Sequence, residues 1–336
     1  MNIKEVAKRA KVSTATVSRT INNSEKVKPH TAARVLKAIE ELNFYPNTHA
    51  RTLVSGRSRI LGLIISDITN PFFPELVKSF EDIAVQYGQE VLIANTNYDP
   101  HRMEVCVSRM LQRKVDGVAI MTSEMAEHLI DEFNLRSIPM AFLDTATPQK
   151  GISNILVDYA VGIDAAVEHL TNLGHRAISF ISGPMSLASA RIRKRAFIHS
   201  LKRNGIKLEA NFIEEGNHRT DGGHEAMSRL LDRKIRPTAV LASNDMTAIG
   251  AMGAIFEHGL EIPKDISIIG FDDIELSAFT QPALTTVRLS RQEIAKLAFR
   301  ALYNTYQSGA IKGAEYTIQP TLIVRKSTGP RPPGKH

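Results

Sequence analysis

The sequence predicts an all-α helix-turn-helix headpiece joined to a much larger α/β core in which parallel sheets are flanked by helices. Three observations carry that expectation. Near the N-terminus, apolar residues recur three and four apart in short stretches broken by tight turns. From Arg59 onward, short apolar runs alternate with amphipathic stretches. The excess positive charge is confined to the first segment: residues 1–59 hold twelve Lys and Arg against four Asp and Glu, and the remainder holds thirty against thirty-one. Such localisation is the footprint of a phosphate-binding module, because neutralising phosphates releases counterions.

The elements follow in chain order. Asn2 with Glu5 three residues later forms a capping-box pattern, and Ile3, Val6, Ala7 and Ala10 give a first helix one apolar face. After a tight turn at Lys11-Val12, Ser13 stands where an N-cap is wanted and the second helix starts at Thr14. Val17 and Ile21 sit four apart and face a core, which leaves Thr14, Ala15, Ser18 and Arg19 on the opposite face. Two such helices read as a helix-turn-helix whose second helix lies in the major groove of DNA. Pro29 opens a third helix, with Val35, Ala38, Ile39 and Leu42 closing the core. Pro46 blocks further helix, yet residues 47–54 can make two helical turns capped by Asn47, too few to be stable alone in water.

Ile3-Lys4-Glu5-Val6-Ala7, Val12-Ser13, Thr16-Val17-Ser18-Arg19, Ile21-Asn22, Leu42-Asn43-Phe44-Tyr45-Pro46-Asn47 and Ala50-Arg51-Thr52-Leu53 together resemble the headpiece of the lactose/galactose-repressor family of bacterial transcription regulators. The likeness continues more loosely to Val324-Arg325. Two departures stand out. Lys11 occupies a turn position that often carries Gly or Asn, and Lys28 stands where a Ser or Thr cap is usual; each costs up to about 1 kcal/mol. The resemblance implies that residues 46–58 form a hinge helix that orders only on operator DNA, as one of a pair in the minor groove, and is an unstructured connector in free protein.

In the core, strand-like runs occur at 60–65, 91–94, 117–120, 140–143, 178–181, 239–242 and 267–270. Being apolar on both faces, they suit parallel sheets covered by helices. Two successive series of these units resemble the two-lobed periplasmic-binding-protein fold. That likeness implies a headpiece at 1–45 and a core at 59–327. Its N-lobe takes about 59–159 and 290–318, its C-lobe about 160–288 and 319–327, and the ligand sits between them. The tail 328–336, rich in Pro and Gly, is expected to be disordered.

Composition narrows the function. The 336 residues, 43% hydrophobic, can bury more than one core. No run of eighteen apolar residues and no apolar leader is found, so a soluble cytoplasmic protein, nucleoid-associated when bound, is expected. The one cysteine, Cys106, lies in a helical pattern with Val105, Val107, Met110 and Leu111 and reads as a core residue. The eleven histidines lack ligand spacing, so no metal and no cofactor are expected. No nucleophile elbow, P-loop or dinucleotide fingerprint is present, and catalysis is not expected.

By the resemblance, Thr14, Ala15 and Arg19 face base edges: Arg19 suits guanine O6 and N7, and Ala15 a thymine methyl. Ser13, Thr16, Ser18, Asn22, Lys26 and Thr31 are expected as phosphate contacts or caps. Leu53 matches a residue that the family wedges between base pairs, with Asn47, Ala50 and Arg51 lining the minor groove. Phe72, Phe73, Ser123, Asp144, Ser189, Arg193, His218, Asn244 and Asp272 fall on family ligand-contact positions. Arg193 and Asp272 carry most weight, as a forked donor and a carboxylate can grip hydroxyls or a carboxylate; an ion pair between the lobes is the other use of the same two residues. His218 replaces a frequent aromatic residue. Leu187 is apolar where the purine-responsive branch has Arg, which favours a sugar, sugar phosphate or sugar acid over a nucleobase. The expected function is a homodimeric, ligand-switched regulator, most simply a repressor, reading a pseudo-palindromic operator. The competing classes are a solute-binding protein of the same two-lobed fold and an architectural DNA-bending protein.

Overall fold

A computed structural model describes residues 2–22, 26–44, 57–122, 125–208, 212–308 and 313–333 of the chain. The chain divides into two compact units, Met1–Ser58 and Arg59–His336.

The first unit is built from α1 (Ile3–Ala10), α2 (Thr14–Asn22) and α3 (Pro29–Glu41). Asn2 Oδ1 accepts from the amides of Lys4 and Glu5, and Glu5 returns the bond to the Asn2 amide at 3.2 Å, so the capping box is complete. Lys11 ends α1 with φ 53° and ψ 50°, the left-handed conformation that makes a non-glycine residue costly there. Ser13 Oγ accepts from the Thr16 amide at 3.2 Å and caps α2. α3 starts with Pro29 and has no side-chain cap at Lys28, as that residue's chemistry dictates. Val6, Ala7, Ala10, Val17, Val35 and Ala38 form the core.

The second unit holds two sheets. In chain order its elements are β1 (Ile60–Ile65), α4 (Phe72–Gln86), β2 (Glu90–Asn95), α5 (Pro100–Gln112), β3 (Gly117–Met121), α6 (Glu127–Asn134), β4 (Met140–Leu143), β5 (Ile152–Val157), α7 (Tyr159–Asn172), β6 (Ile178–Ser182), α8 (Ala188–Arg203), β7 (Ile213–Glu215), α9 (Thr220–Leu231), β8 (Ala239–Ala242), α10 (Asp245–Glu257), β9 (Ser267–Asp272), β10 (Thr285–Arg288), α11 (Arg291–Ser308), β11 (Glu315–Ile318) and β12 (Thr321–Ile323). Among the described residues one sheet runs β11-β5-β4-β3-β1-β2 and the other β12-β10-β9-β8-β6-β7. Neighbours are parallel throughout, except that β12 runs antiparallel to β10. Each sheet is the floor of one lobe, and the chain passes between lobes after β5, after β10 and after β11.

Two of the strands missing from the sequence expectation share a cause. β5 and β10 carry Ser153, Asn154, Thr285 and Thr286 at buried positions, so their apolar runs are broken. The polar groups find partners instead: Asn154 Oδ1 accepts from the Ala146 amide, and the Thr286 hydroxyl donates to Asp245 Oδ1 at 2.5 Å. β7, β11 and β12 are short edge strands. In the C-lobe α9 and α10 pack through glycines: a Cβ at Gly250 would lie 1.9 Å from the Thr220 carbonyl oxygen, and one at Gly223 2.2 Å from that of Thr247.

The tail corrects the sequence expectation of disorder from 328. Thr328 Oγ1 bonds His169 Nε2 at 2.9 Å, the Gly329 carbonyl accepts from His175 Nε2 at 3.0 Å, and the Arg331 amide donates to Leu173 O at 2.9 Å. Composition alone hides this, because the backbone groups of a Pro- and Gly-rich segment can still be satisfied by side chains of the lobe beneath. Residues 334–336 lie outside the described residues, as do the expected hinge residues Asn47, Ala50, Arg51 and Leu53.

Candidate functional site

On the first unit, the face of α2 opposite the core presents Thr14, Ala15 and Arg19, all exposed. Ser13 is exposed and bonds the Thr16 hydroxyl at 3.0 Å, so both belong to the cap of the helix. Ser18 and Thr31 are half-buried, Lys26 is exposed, and Asn22 is the last residue of α2.

On the second unit, the carboxyl ends of both sets of strands face one cleft, and a cavity there is lined by eight of the nine expected ligand residues: Phe72, Phe73, Asp144, Ser189, Arg193, His218, Asn244 and Asp272. Ser123 lies outside the described residues. The N-lobe contributes the first turn of α4, the loop after β2 and the end of β4. The C-lobe contributes the first turns of α8 and α10 and the end of β9.

Arg193 sits at the centre. Only 9% exposed, its guanidinium lies 4.7 Å from the ring centroids of both Tyr159 and Phe271, and Nη1 donates to the Ser243 carbonyl at 2.5 Å. Nη2 reaches the Tyr159 hydroxyl at 3.4 Å, and that hydroxyl donates to Asp144 Oδ2 at 2.6 Å; Asp144 Oδ1 accepts from the Val157 amide. A continuous network therefore joins the N-lobe carboxylate to the C-lobe arginine. Arg193 Nε has no hydrogen-bond partner among the described residues and is cut off from water. The alternative of an ion pair between lobes is not realised by Arg193 and Asp272: both belong to the C-lobe, and the guanidinium bonds Ser243 instead.

Electrostatics set the chemistry. Burial pushes the Asp272 carboxyl up to about 7, against the pull of Arg193, and the carboxylate has no hydrogen-bond donor among the described residues. Burial, helped by Arg193, drives His218 down to about 3, so its imidazole is neutral. Burial also raises Asp144 despite the bonds from Tyr159 and Val157. His218 has φ 63°, its carbonyl accepts from Asn244 Nδ2 at 2.9 Å, and its ring bonds Ser243 Oγ through Nδ1. A Cβ at Gly183 would lie 2.0 Å from that ring, so glycine is required for His218 to occupy its place. A fixed cation, a carboxylate short of donors and a neutral imidazole in a cleft with apolar walls can hold a small polar molecule by directed hydrogen bonds.

Tyr98 and Tyr159 line the cavity and were not foreseen. The available signal was positional, since each follows a strand and flanks an N-capping aspartate, Asp99 and Asp158. Three further polar side chains, Asp158, Arg191 and Asp245, serve the fold. Asp158 caps α7, Arg191 donates to the Met185 and Ser186 carbonyls, and Asp245 is enclosed by Ile274, Ser277 and Thr286.

A DNA-reading helix unit and a two-lobed ligand cleft on one chain define a ligand-responsive DNA-binding regulator. Two family profiles match: "Bacterial regulatory proteins, lacI family" over residues 2–47 and "Periplasmic binding protein-like domain" over 167–328. The chain is 33% identical over 331 residues to the HTH-type transcriptional repressor PurR of Pasteurella multocida, covering 98% of this chain and 99% of that protein. It is also 33% identical to the ribose operon repressor of Escherichia coli, over 97% of this chain and 99% of that one. A structure of the lac repressor dimer bound to operator and the anti-inducer ONPF superposes with a TM-score of 0.87 at 30% identity, covering 98% and 99% of the two chains. The protein belongs to the lacI family of bacterial regulatory proteins and is a DNA-binding transcription regulator controlled by a ligand. Among the described residues no helix is long and apolar enough to cross a membrane.

Proposed function

We propose that the protein is a homodimeric, cytoplasmic repressor that reads a pseudo-palindromic operator through α2 and is switched by a sugar or sugar derivative in the cleft. One observation carries this reading: a single chain combines an outward face of Thr14, Ala15 and Arg19 with a cavity where Arg193 and Asp272 do not satisfy one another. Arg19 is assigned to a guanine, Ala15 to a thymine methyl, and Ser13, Thr16, Ser18, Asn22, Lys26 and Thr31 to positioning on phosphates. Leu53 is assigned to the central base step, with Asn47, Ala50 and Arg51 in the minor groove.

PurR and the ribose operon repressor stand at equal identity, so identity does not choose an effector class. The cleft favours the sugar, because its charged and polar groups suit hydroxyls and Leu187 at the head of α8 supplies no cation. A 27% identical relative has been solved with bound ribose, which supports the same class. The protein works by binding, not by catalysis, as its repressor relatives do. The effector acts through its difference in affinity for two lobe arrangements.

Fluorescence anisotropy on a labelled pseudo-palindrome and on a scrambled duplex, titrated with ribose, other sugars and hypoxanthine, tests this. Preference for the palindrome that a sugar changes supports the reading. Equal binding to both duplexes refutes the DNA assignment, and a response to hypoxanthine alone refutes the sugar.

A further inference from the structure

Arg219 heads α9 in the C-lobe, directly after the cavity-lining His218, and its guanidinium reaches across the cleft. Nε and Nη2 donate to Asp67 Oδ2 at 3.1 and 2.9 Å, and Nη2 also donates to Asn97 Oδ1 at 2.8 Å. Both acceptors belong to the N-lobe, Asp67 after β1 and Asn97 after β2. The Asp67 side chain is 3% exposed, and its other oxygen is taken by the Thr69 amide and hydroxyl. Burial works against its charge, yet the Thr69 bonds and Arg219 together hold the carboxyl below its ordinary value. The pair is therefore fully charged at neutral pH, and separating the lobes takes its cation away from a buried carboxylate.

Next to Asn97 is Tyr98, which lines the cavity. Both residues have positive φ, 52° and 58°. For an aromatic residue that conformation is strained and persists only where the surroundings impose it. The turn is held at both ends: Arg219 grips Asn97, and Asp99 caps α5 by accepting from the His101 amide at 2.8 Å. Between these ties the Tyr98 ring stands within the fields of Asp67, Asp272, Arg193 and Arg219, and its hydroxyl has no hydrogen-bond partner among the described residues.

We infer that Arg219 is a positioning residue of the effector site: by bridging Asp67 and Asn97 across the cleft, it sets Tyr98 as a specificity-determining contact beside Arg193 and Asp272. Tyr98 takes its place only when the lobes are closed, and it selects a ligand with a hydroxyl or other polar group at that corner. This rests on the reading of the cleft as an effector site.

The test uses the full chain carrying 3-fluorotyrosine, observed by fluorine NMR with no effector added. Loss of one line in Tyr98→Phe identifies Tyr98, and the change in its shift between light and heavy water reads its exposure. In Arg219→Met that solvent effect should rise to the value of the exposed Tyr87, while the lines of Tyr159 and Tyr316 stay in place. Arg219→Lys, which can reach one acceptor but lacks the fork, should fall between. An unmoved Tyr98 line in Arg219→Met overturns the inference. So does a common shift of all the tyrosine lines with a lowered melting temperature, which would mark Arg219 as a general stabiliser. Because no ligand is present, an error in the effector class leaves this readout untouched, whereas a cleft that answers to no sugar in the anisotropy titration refutes only that class.

Discussion

Replacing Asp272 by Asn should stabilise the free protein at alkaline pH while removing its response to effector. The Asp272 carboxyl is pushed up to about 7 from an ordinary value of 3.8, mainly by burial. A folded-state value above the unfolded one means that the fold holds the proton more tightly. The resulting stability is fully present below pH 3.8 and is lost as pH rises through about 7. Roughly three units at 1.36 kcal/mol each set a ceiling of about 4 kcal/mol, and water entering the cleft reduces that to about 2 kcal/mol. Asparagine carries no charge, so at pH 8 the variant should melt about 4–8 °C above the parent, at about 2–4 °C per kcal/mol for a core of this size. At pH 5 most of the gap should vanish. Asp245, raised to about 6 by burial, titrates in the same window and its charge adds to the rise of Asp272, so the difference between the two proteins reports the coupled pair. Circular dichroism melts without effector at the two pH values measure this. A variant no more stable than the parent at pH 8, or a gap equal at both pH values, would falsify the burial argument. The same variant should bind effector about 10- to 100-fold more weakly, since a charged hydrogen bond contributes about 1.5–3 kcal/mol.

Three further outcomes can be checked by binding and hydrodynamics. Arg19→Ala should relax specificity at one base pair per half-site by about 1–3 kcal/mol, whereas Lys26→Ala should weaken operator and random DNA alike and flatten the salt dependence; equal losses on both DNAs from both variants would end that division of roles. Leu53→Ala should lower operator affinity and DNA bending together, with effector affinity off DNA unchanged, because the apolar wedge offsets a few kcal/mol of unstacking; an unaltered bend angle would show a passive tether. Sedimentation at micromolar concentration should show a dimer, and a monomer binding a single half-site would contradict two-fold recognition.

The headpiece and the alternation of the core were fixed locally. Asn2, Glu5, Ser13 and Pro29 act within one turn of themselves, and Val6, Val17 and Val35 need only helical spacing to find the core, so these are legible residue by residue. The candidate ligand residues were reached through the family resemblance together with the rule that strand ends in such sheets face one cleft, and eight of the nine named line a single cavity. Tertiary structure alone decided what those residues do to each other. It enclosed Arg193 between Tyr159 and Phe271, left the Asp272 carboxylate beside it without a donor among the described residues, and carried Tyr98 into the cavity. It placed polar Thr285 and Thr286 in a buried strand and fastened the Pro- and Gly-rich tail to His169 and His175. Each of these turns on hydrogen bonds and burial between residues tens to more than a hundred positions apart, and the Arg219 bridge to Asp67 spans 152. Helical and strand periodicity report which face a residue turns to the core, but not which distant partner meets it there.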